Sequence, residues 1–220
     1  TGAIDAEGEK TMKKGSVAVL VAAIVAVLAV GAYFTVDYFL DKDLERQQQE
    51  LEALENNHVS TASGEDVETE LYNFEDGRFY RKIPKSFSQM DADMIARKYP
   101  GEAPEYVFTN EETTINVAVG VSDAALKDSQ IQQFIDYMEQ VLSQSCQVLE
   151  TNAYEKGGRT VGELRFVSEA VDTDIYNHML VFSDEGRQRI ITFNCTVENQ
   201  EEWQPVGTFV VQSLHFPADR

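Results

Sequence analysis

The chain has 220 residues, with 18 Lys and Arg against 38 Asp and Glu, a formal net charge of −20 at pH 7 and two cysteines. Nucleic acid is excluded as an expected partner, because phosphate binding needs clustered lysine and arginine. The length suits one globular domain with its own core plus a separate N-terminal segment.

An apolar run without any charged residue covers residues 17–36. As a helix it would rise about 30 Å, which matches the hydrocarbon core of a bilayer. The run therefore predicts a transmembrane signal anchor over residues 17–40, and the membrane is the first expected partner.

The charges that flank the run predict its orientation. Lys10, Lys13 and Lys14 precede it, whereas Asp37 opens the other side. Because basic flanks stay in the cytoplasm, residues 1–16 are expected to be a cytoplasmic tail. The rest of the chain is then extracytoplasmic, on a single-pass protein of the cell membrane.

A cleaved secretory signal peptide is the alternative interpretation. Met12 looks like a natural start, and small residues occur at Gly31 and Ala32 near the end of the run. The run is longer than the usual apolar region of about 7 to 15 residues and continues into bulky aromatics, which favours an uncleaved anchor.

The segment after the anchor, residues 41–70, holds ten acidic and two basic residues. Spaced leucines predict a short juxtamembrane helix over residues 41–57, which supports at most a weak homodimer. Residues 58–70 are rich in Ser, Thr, Gly and acids, so they are expected to be a flexible linker. The domain boundary is placed near Leu71, and residues 71–220 form the extracytoplasmic domain.

Hydrophobic periodicity in the domain predicts strands first, then a helix, a four-strand meander and a closing helix. Two strand pieces flank the Asp-Gly turn within residues 72–84, and a helical turn follows. The other predicted elements are strands 106–108 and 113–121, a helix from Ser122 or Asp123 to Ser145, strands 147–154, 159–171, 175–183 and 187–197, and a helix over 201–213. The sum is an α+β domain, an antiparallel sheet covered by helices.

Four patches carry a resemblance to a known family: Phe79 to Phe87 (FYRKIPKSF), Thr114 to Val119 (TINVAV), Arg159 to Leu164 (RTVGEL) and Gln212 to Phe216 (QSLHF). Together with the order of elements they resemble the PsbP-like superfamily, which includes DcrB-like bacterial envelope proteins, over residues 72–217. The resemblance implies a compact α/β/α sandwich used for binding or assembly, with no shared catalytic apparatus.

Both cysteines fall on predicted inward-facing positions. Cys146 continues the apolar stripe of the long helix, and Cys195 shares a strand face with Ile191 and Phe193. Outside the cytosol such a pair can form a disulfide. Two buried thiols that never meet are the alternative, because spacing alone does not place the Cα atoms within bridging range.

The nearest candidate for a metal site is the group of Asp172, Asp174 and His178 around a predicted hairpin turn. Two carboxylates at this spacing could hold calcium or manganese weakly. A solvated acidic turn is the alternative. No short ligand spacing for zinc, no phosphate loop and no nucleophile elbow occurs, so no catalytic residue and no cofactor is expected.

The function that these observations predict is a non-catalytic, membrane-anchored binding or assembly module of the bacterial cell envelope. Its expected partner is an unidentified envelope protein or polymer. The alternatives are a hydrolase or metal-dependent enzyme with an unrecognised acidic site, and a secreted form of the same binding domain after signal cleavage.

Overall fold

The computed structural model describes residues 45, 53–99, 101, 103–170 and 172–217. The chain divides into two compact units, Thr1–Gln48 and Gln49–Arg220, and the strands and helices of the domain belong to the second. In the described part of the chain, no helix combines the length and apolarity needed to cross a bilayer. The predicted anchor and cytoplasmic tail lie outside the described residues. Within the predicted juxtamembrane helix, residues 45 and 53–55 are helical.

Strands dominate the described part of the domain, and three helices are distributed between them. The strands are β1 His58–Ser60, β2 Asp66–Phe74, β3 Phe79–Pro84, β4 Ser88–Gln89, β5 Tyr106–Thr109, β6 Ile115–Ala125, β7 Cys146–Lys156, β8 Arg159–Ser168, β9 Ile175–Asp184 and β10 Arg187–Thr196. The helices are α1 Ala92–Lys98, α2 Ile131–Leu142 and α3 Val197–Gln212.

The larger sheet has seven antiparallel strands in the order β4-β5-β6-β10-β9-β8-β7. The predicted meander is confirmed, because short turns join β7 to β8, β8 to β9 and β9 to β10 and force neighbours in sequence to pair. The α+β class with an antiparallel sheet covered by helices is confirmed as well.

A second sheet of three strands, ordered β1-β2-β3, lies where the sequence predicts a linker. Val59 pairs with Val67, and Thr69 pairs with Pro84. Val67 and Thr69 are buried, whereas Asp66, Glu68 and Glu70, which alternate with them, point to solvent. The acidic residues of β2 therefore lie on the solvent-exposed face of the strand. The domain boundary predicted at Leu71 falls inside β2.

The two faces of the larger sheet pack differently. The inner face carries Val117, Ile191 and Phe193 and packs against α3 and the three-stranded sheet in the main core. The outer face carries Leu164 and Val181 and packs against α2 in a second core. The register alternates the two sets along the strands, apart from a shift between Val148 and Glu150 of β7 and one between Arg187 and Gln188 of β10.

Glycine brings a helix close to the sheet on each face. A Cβ at Gly162 on β8 would lie 2.4 Å from Cδ1 of Ile135 on α2, and a Cβ at Gly207 on α3 would lie 2.5 Å from Cδ1 of Phe193 on β10. Both positions therefore exclude any side chain larger than hydrogen without a shift of the helix.

Two predicted helix starts differ from the structure. β6 continues to Ala125 because Ser122 pairs with Gln188 of β10, so Ser122 and Asp123 do not cap a helix and α2 begins at Ile131. The closing helix begins at Val197, one turn before the predicted start. In both places pairing with a neighbouring strand fixes where the helix starts.

Candidate functional site

A groove of about 610 Å³ lies between the edge strand β1 and helix α3. Its volume falls within the range of ligand pockets. One wall is formed by β1, with Asn56 before it and Asp66 of β2, and the other by one face of α3. Most of the lining residues are polar, among them Asn56, His58, Ser60, Asp66, Glu201, Gln204 and Thr208, and Val59, Pro205 and Phe209 add apolar surface.

Lys82 of β3 fixes the chain that leads into this groove. Its Nζ donates a hydrogen bond to the carbonyl of Leu54 at 2.8 Å and another to the carbonyl of Asn56. The side chain is almost fully buried, and burial lowers the pKa of Lys82. Its ammonium also lies 5.8 Å from the ring centroid of Phe209. One buried cation thus joins both walls of the groove.

The α3 wall contains a proline within the helix, Pro205. Proline has no N–H, so the carbonyl of Glu201 lacks its usual helical donor, and both residues line the groove. The preceding turn is tied to the other wall, because Ala62 N–H donates to the carbonyl of Glu202 at 3.0 Å and Ser63 donates to its carboxylate. The groove is therefore built on elements held by long-range contacts.

His58 and Asp66 stand at one edge of the groove. The His58 Nδ1 lies 2.9 Å from the Asp66 carboxylate, and both side chains are more than half exposed. With the neutral amides and hydroxyls of the groove, this pair offers donors and acceptors along an open channel. Such an arrangement can hold an extended polar ligand by hydrogen bonds. No sequence pattern placed any of these residues in a site.

A polar cluster occupies the inner face of the sheet, and its three side chains do not line the groove. Glu163 Oε1 lies 2.6 Å from His178 Nε2 and 3.0 Å from Arg165 Nη2. Burial alone would raise the pKa of Glu163, but the His178 hydrogen bond and the Arg165 charge lower it to about 2. Burial lowers the pKa of His178. At neutral pH the cluster is a carboxylate held by a neutral imidazole and a guanidinium.

Arg81 of β3 is fully buried on the same side of the sheet, and burial lowers its pKa to about 9. Among the described residues, none of its guanidinium nitrogens has a hydrogen-bond partner. The buried Tyr176 hydroxyl is in the same situation, and burial raises its pKa to about 12. Neither group therefore titrates near neutral pH.

A charged network joins the β2–β3 turn to the β9–β10 turn. Arg189 is fully buried and bonds Asp184 at 3.0 Å and the more exposed Glu105. Arg78 bonds Glu75 at 2.8 Å and also reaches Glu185. Each of the two cations is shared between several acids, so the network links the two sheets where their turns meet.

The predicted metal group is not assembled. His178 is fully buried and bonded to Glu163, whereas Asp172 and Asp174 are exposed in the turn before β9. Successive strand residues alternate faces, so β9 carries the imidazole into the core and away from the turn. Within the part of the chain that the structure describes, no three His, Cys, Asp or Glu residues are grouped to hold a metal ion.

The two cysteines are free thiols. Cys146 begins β7 and contacts the outer core, whereas Cys195 lies on β10 in the inner core, with β8 and β9 between them. Three strand spacings amount to about 14 Å, beyond the reach of a disulfide. The structure therefore does not bring the candidate pair together. Burial raises the pKa of Cys195 to about 12.

Comparison with known proteins gives similarity in structure alone. No protein-family model and no curated protein sequence matches the chain. The chain is similar to the solution structure of cyanobacterial PsbP from Synechocystis sp. PCC 6803, with 13% identity and a TM-score of 0.48. That match covers 67% of this chain and 92% of the other.

Two further solved structures are similar. The Ran-binding protein Mog1p of Saccharomyces cerevisiae is 12% identical with a TM-score of 0.42, covering 68% of this chain and 96% of that one. LpqN, involved in cell envelope biogenesis of Mycobacterium tuberculosis, is 8% identical with a TM-score of 0.45, covering 69% and 92%. A PsbP is thus among the structures that this chain resembles, as the sequence resemblance predicts.

Proposed function

We propose that the protein is a membrane-anchored binding module of the bacterial cell envelope. Its extracytoplasmic domain holds an extended segment of an envelope protein in the groove between β1 and α3, without catalysing a reaction. The observation that carries this proposal is the groove itself, because it combines an open channel of about 610 Å³ with hydrogen-bonding side chains, including the carboxylates of Asp66 and Glu201, on regular elements.

An extended peptide suits this groove better than a compact ligand. β1 stands at the edge of the described three-stranded sheet, so alternate residues direct N–H and C=O groups away from β2. A peptide added beside an edge strand bonds to such groups through its own backbone. The carbonyl of Glu201, left without a helical donor by Pro205, provides a further acceptor in the opposite wall.

The proposed location rests on the sequence. The apolar run over residues 17–36 would anchor the chain as residues 17–40, with the lysine-rich tail in the cytoplasm. The acidic domain would then stand away from anionic lipid headgroups, because like charges repel. A groove facing the extracytoplasmic space is accessible to proteins of the envelope.

Photo-crosslinking from defined positions of the full chain in cells tests the binding role. A photoreactive amino acid at Gln204, within the groove, is expected to give discrete adducts with an envelope protein. The matched control is Gln132, an exposed residue on α2 at the other face of the sheet. Equal adducts from both positions, or a carbohydrate adduct alone at Gln204, would contradict the proposal.

A blocking variant and a topology assay complete the test. Thr208→Arg should fill the groove and abolish the Gln204 adducts while changing the free energy of unfolding by no more than about 0.5 kcal/mol. Protease added to intact spheroplasts should digest the domain and leave the N-terminal tail protected. Protection of the domain instead would reverse the proposed orientation.

A further inference from the structure

Four rows of residues on the outer face form a surface without a single charged side chain, which we call the outer strip. Each row crosses β6, β10 and β9 in register. The rows are Ser122-Gln188-Ser183, Gly120-Ile190-Val181, Ala118-Thr192-Met179 and Asn116-Asn194-Asn177. Asn116, Ala118, Val181 and Gln188 are buried, and the other eight residues of the strip are half-buried.

Neighbouring helices leave the strip partly open. α2 lies on β8 at Gly162, whereas α1 packs over Val107 of β5 and Ala118 of β6. Of the described helices, none covers β10 on this face. Ile190 and Thr192 of β10 stay partly exposed, although Ile191 and Phe193 on the inner face are fully buried. A depression of about 100 Å³ opens between the strip and Pro104.

The gap is about one helix wide. Helix α2 lies above β8, and α1 lies above the boundary between β5 and β6. About three and a half strand spacings separate these two positions across the sheet, which amounts to about 17 Å. Two helices with a third between them need roughly 16–20 Å, because packed helix axes lie about 8–10 Å apart. A strip seven residues long, about 20 Å, matches a helix of about 14 residues.

The α2 side of the gap carries exposed apolar groups. Tyr137 is 60% and Val141 is 38% exposed. They lie about 160° around α2 from Glu139, which accepts a hydrogen bond from Thr151 of β7 at 3.0 Å. Since Glu139 points toward β7, Tyr137 and Val141 point toward the strip. They extend its uncharged surface up the wall of the gap.

One end of the outer strip is acidic. Glu111 and Glu112 precede β6, Asp172 and Asp174 precede β9, and all four are exposed. Lys98 of α1 reaches the same end, where its Nζ donates to the carbonyl of Thr113 at 2.6 Å, so these four acids outnumber this lysine. The row of three asparagines lies at this end, and the buried Oδ1 of Asn116 has no hydrogen-bond partner among the described residues. A carboxylate rim with an unused acceptor favours a cationic group, because such groups donate strong hydrogen bonds to oxygen.

We propose that the outer strip is a docking site for an amphipathic helix of another protein, with an uncharged apolar face on the strip and lysine or arginine at the asparagine end. The two middle rows, which are apolar except for Thr192, contact the apolar face, and the acidic rim fixes the direction of the helix. This site lies on the opposite face of the sheet from the groove. A test of helix binding at the outer strip is therefore independent of the proposed peptide binding in the groove.

The test uses the full chain in lipid nanodiscs, with empty nanodiscs as background. The probe is a fluorescent helical peptide of about 14 residues that carries leucine and alanine on one face and lysines at one end. Fluorescence anisotropy should show saturable binding. A second peptide with glutamate in place of lysine should bind at least about tenfold more weakly, since the acidic rim repels it.

Variants locate the site. Tyr137→Asp and Thr192→Asp should each weaken binding of the lysine peptide about tenfold or more. Leu149→Asp, at an exposed apolar residue of β7 outside the strip, is the matched control and should change it less than about twofold. Because Tyr137 is mostly exposed, its variant tests the site even if Thr192→Asp does not fold.

Two results would overturn the proposal. One is equal binding of the lysine and glutamate peptides, or equal loss with Leu149→Asp, because the contact would then be non-specific. The other is a photo-crosslink from Tyr137 to a second copy of the chain with no peptide binding, because the strip would then be covered by self-association.

Discussion

The imidazole of His178 lies 2.6 Å from the carboxylate of Glu163, with the histidine fully buried on β9 and the glutamate on β8. Arg165 completes the arrangement from two residues along β8. The free energy of unfolding should depend on pH through this pair, because the folded state disfavours protonation of both His178 and Glu163.

Stability should fall as the pH drops from 7 to 5. In the unfolded chain His178 titrates near 6.5, whereas burial lowers its folded pKa, so acid favours the state that takes up the proton. The slope from this one group is at most about 1.4 kcal/mol per pH unit. His178→Gln, which keeps a donor for Glu163, should flatten the slope. Urea unfolding at several pH values measures it.

The control for this prediction is His58→Gln, because His58 is an exposed histidine outside the buried cluster. A slope unchanged by His178→Gln would contradict the assignment. Below pH 4.5 a second fall is expected as the folded pKa of Glu163, about 2, is approached, and Glu163→Gln should reduce it.

Arg81→Met should stabilise the domain by about 1–3 kcal/mol. The guanidinium is fully buried, and within the described part of the chain it has no hydrogen-bond partner, so an apolar chain of similar size removes a desolvated charge. Arg165→Met is the matched comparison and should destabilise, because it leaves the Glu163 carboxylate short of a partner. Denaturant titration of both variants decides, and a loss of stability in Arg81→Met would refute the reasoning.

Gly162→Ala should destabilise by about 1–3 kcal/mol, because the new Cβ would overlap the buried side chain of Ile135 on α2. Gly120→Ala, on the same sheet face, should be nearly neutral, since its Cβ would lie 3.4 Å from the nearest atom of Pro104. Because Cδ1 and Cγ1 of Ile135 both obstruct the new Cβ, Gly162→Ala should cost less in an Ile135→Ala background than in the natural chain. Thermal unfolding followed by circular dichroism compares the variants.

A chain beginning at residue 71 should fail to fold, whereas one beginning at residue 53 should fold. The shorter chain lacks β1 and half of β2, and with them the buried Val67 and Thr69. Trp203, the single tryptophan, lies 5.9 Å from the ring of Phe87 and reports on the packing of α3. A cooperative fluorescence transition in the shorter chain would restore the predicted boundary.

Much of the sheet could be predicted from sequence because its signals are local. The meander follows from period-two patterning joined by turns such as Gly157-Gly158 and Glu185-Gly186, where the backbone adopts positive φ. β2 carries the same signal in the alternation of Asp66, Val67, Glu68 and Thr69. The acidic composition of residues 58–70 is typical of a linker, and composition hides the alternation that indicates a strand.

The sites could not be predicted in the same way, because they join distant parts of the chain. The groove depends on Lys82 holding the carbonyl of Leu54 beside α3. The outer strip depends on the register of β6 with β10, which are separated by more than sixty residues. The proposed metal group failed for a local reason, since alternation along β9 carries His178 inward.

The contacts between the first strands and the last helix also constrain how the protein is made. Ser63 is held by Glu202, and Tyr80 is paired with His215, so the first strands receive these packing partners only after α3 and the residues that follow it have been synthesised. The nascent chain must therefore keep these strands without this packing while more than a hundred intervening residues are translated. This order prevents the N-terminal strands from completing their native packing on their own.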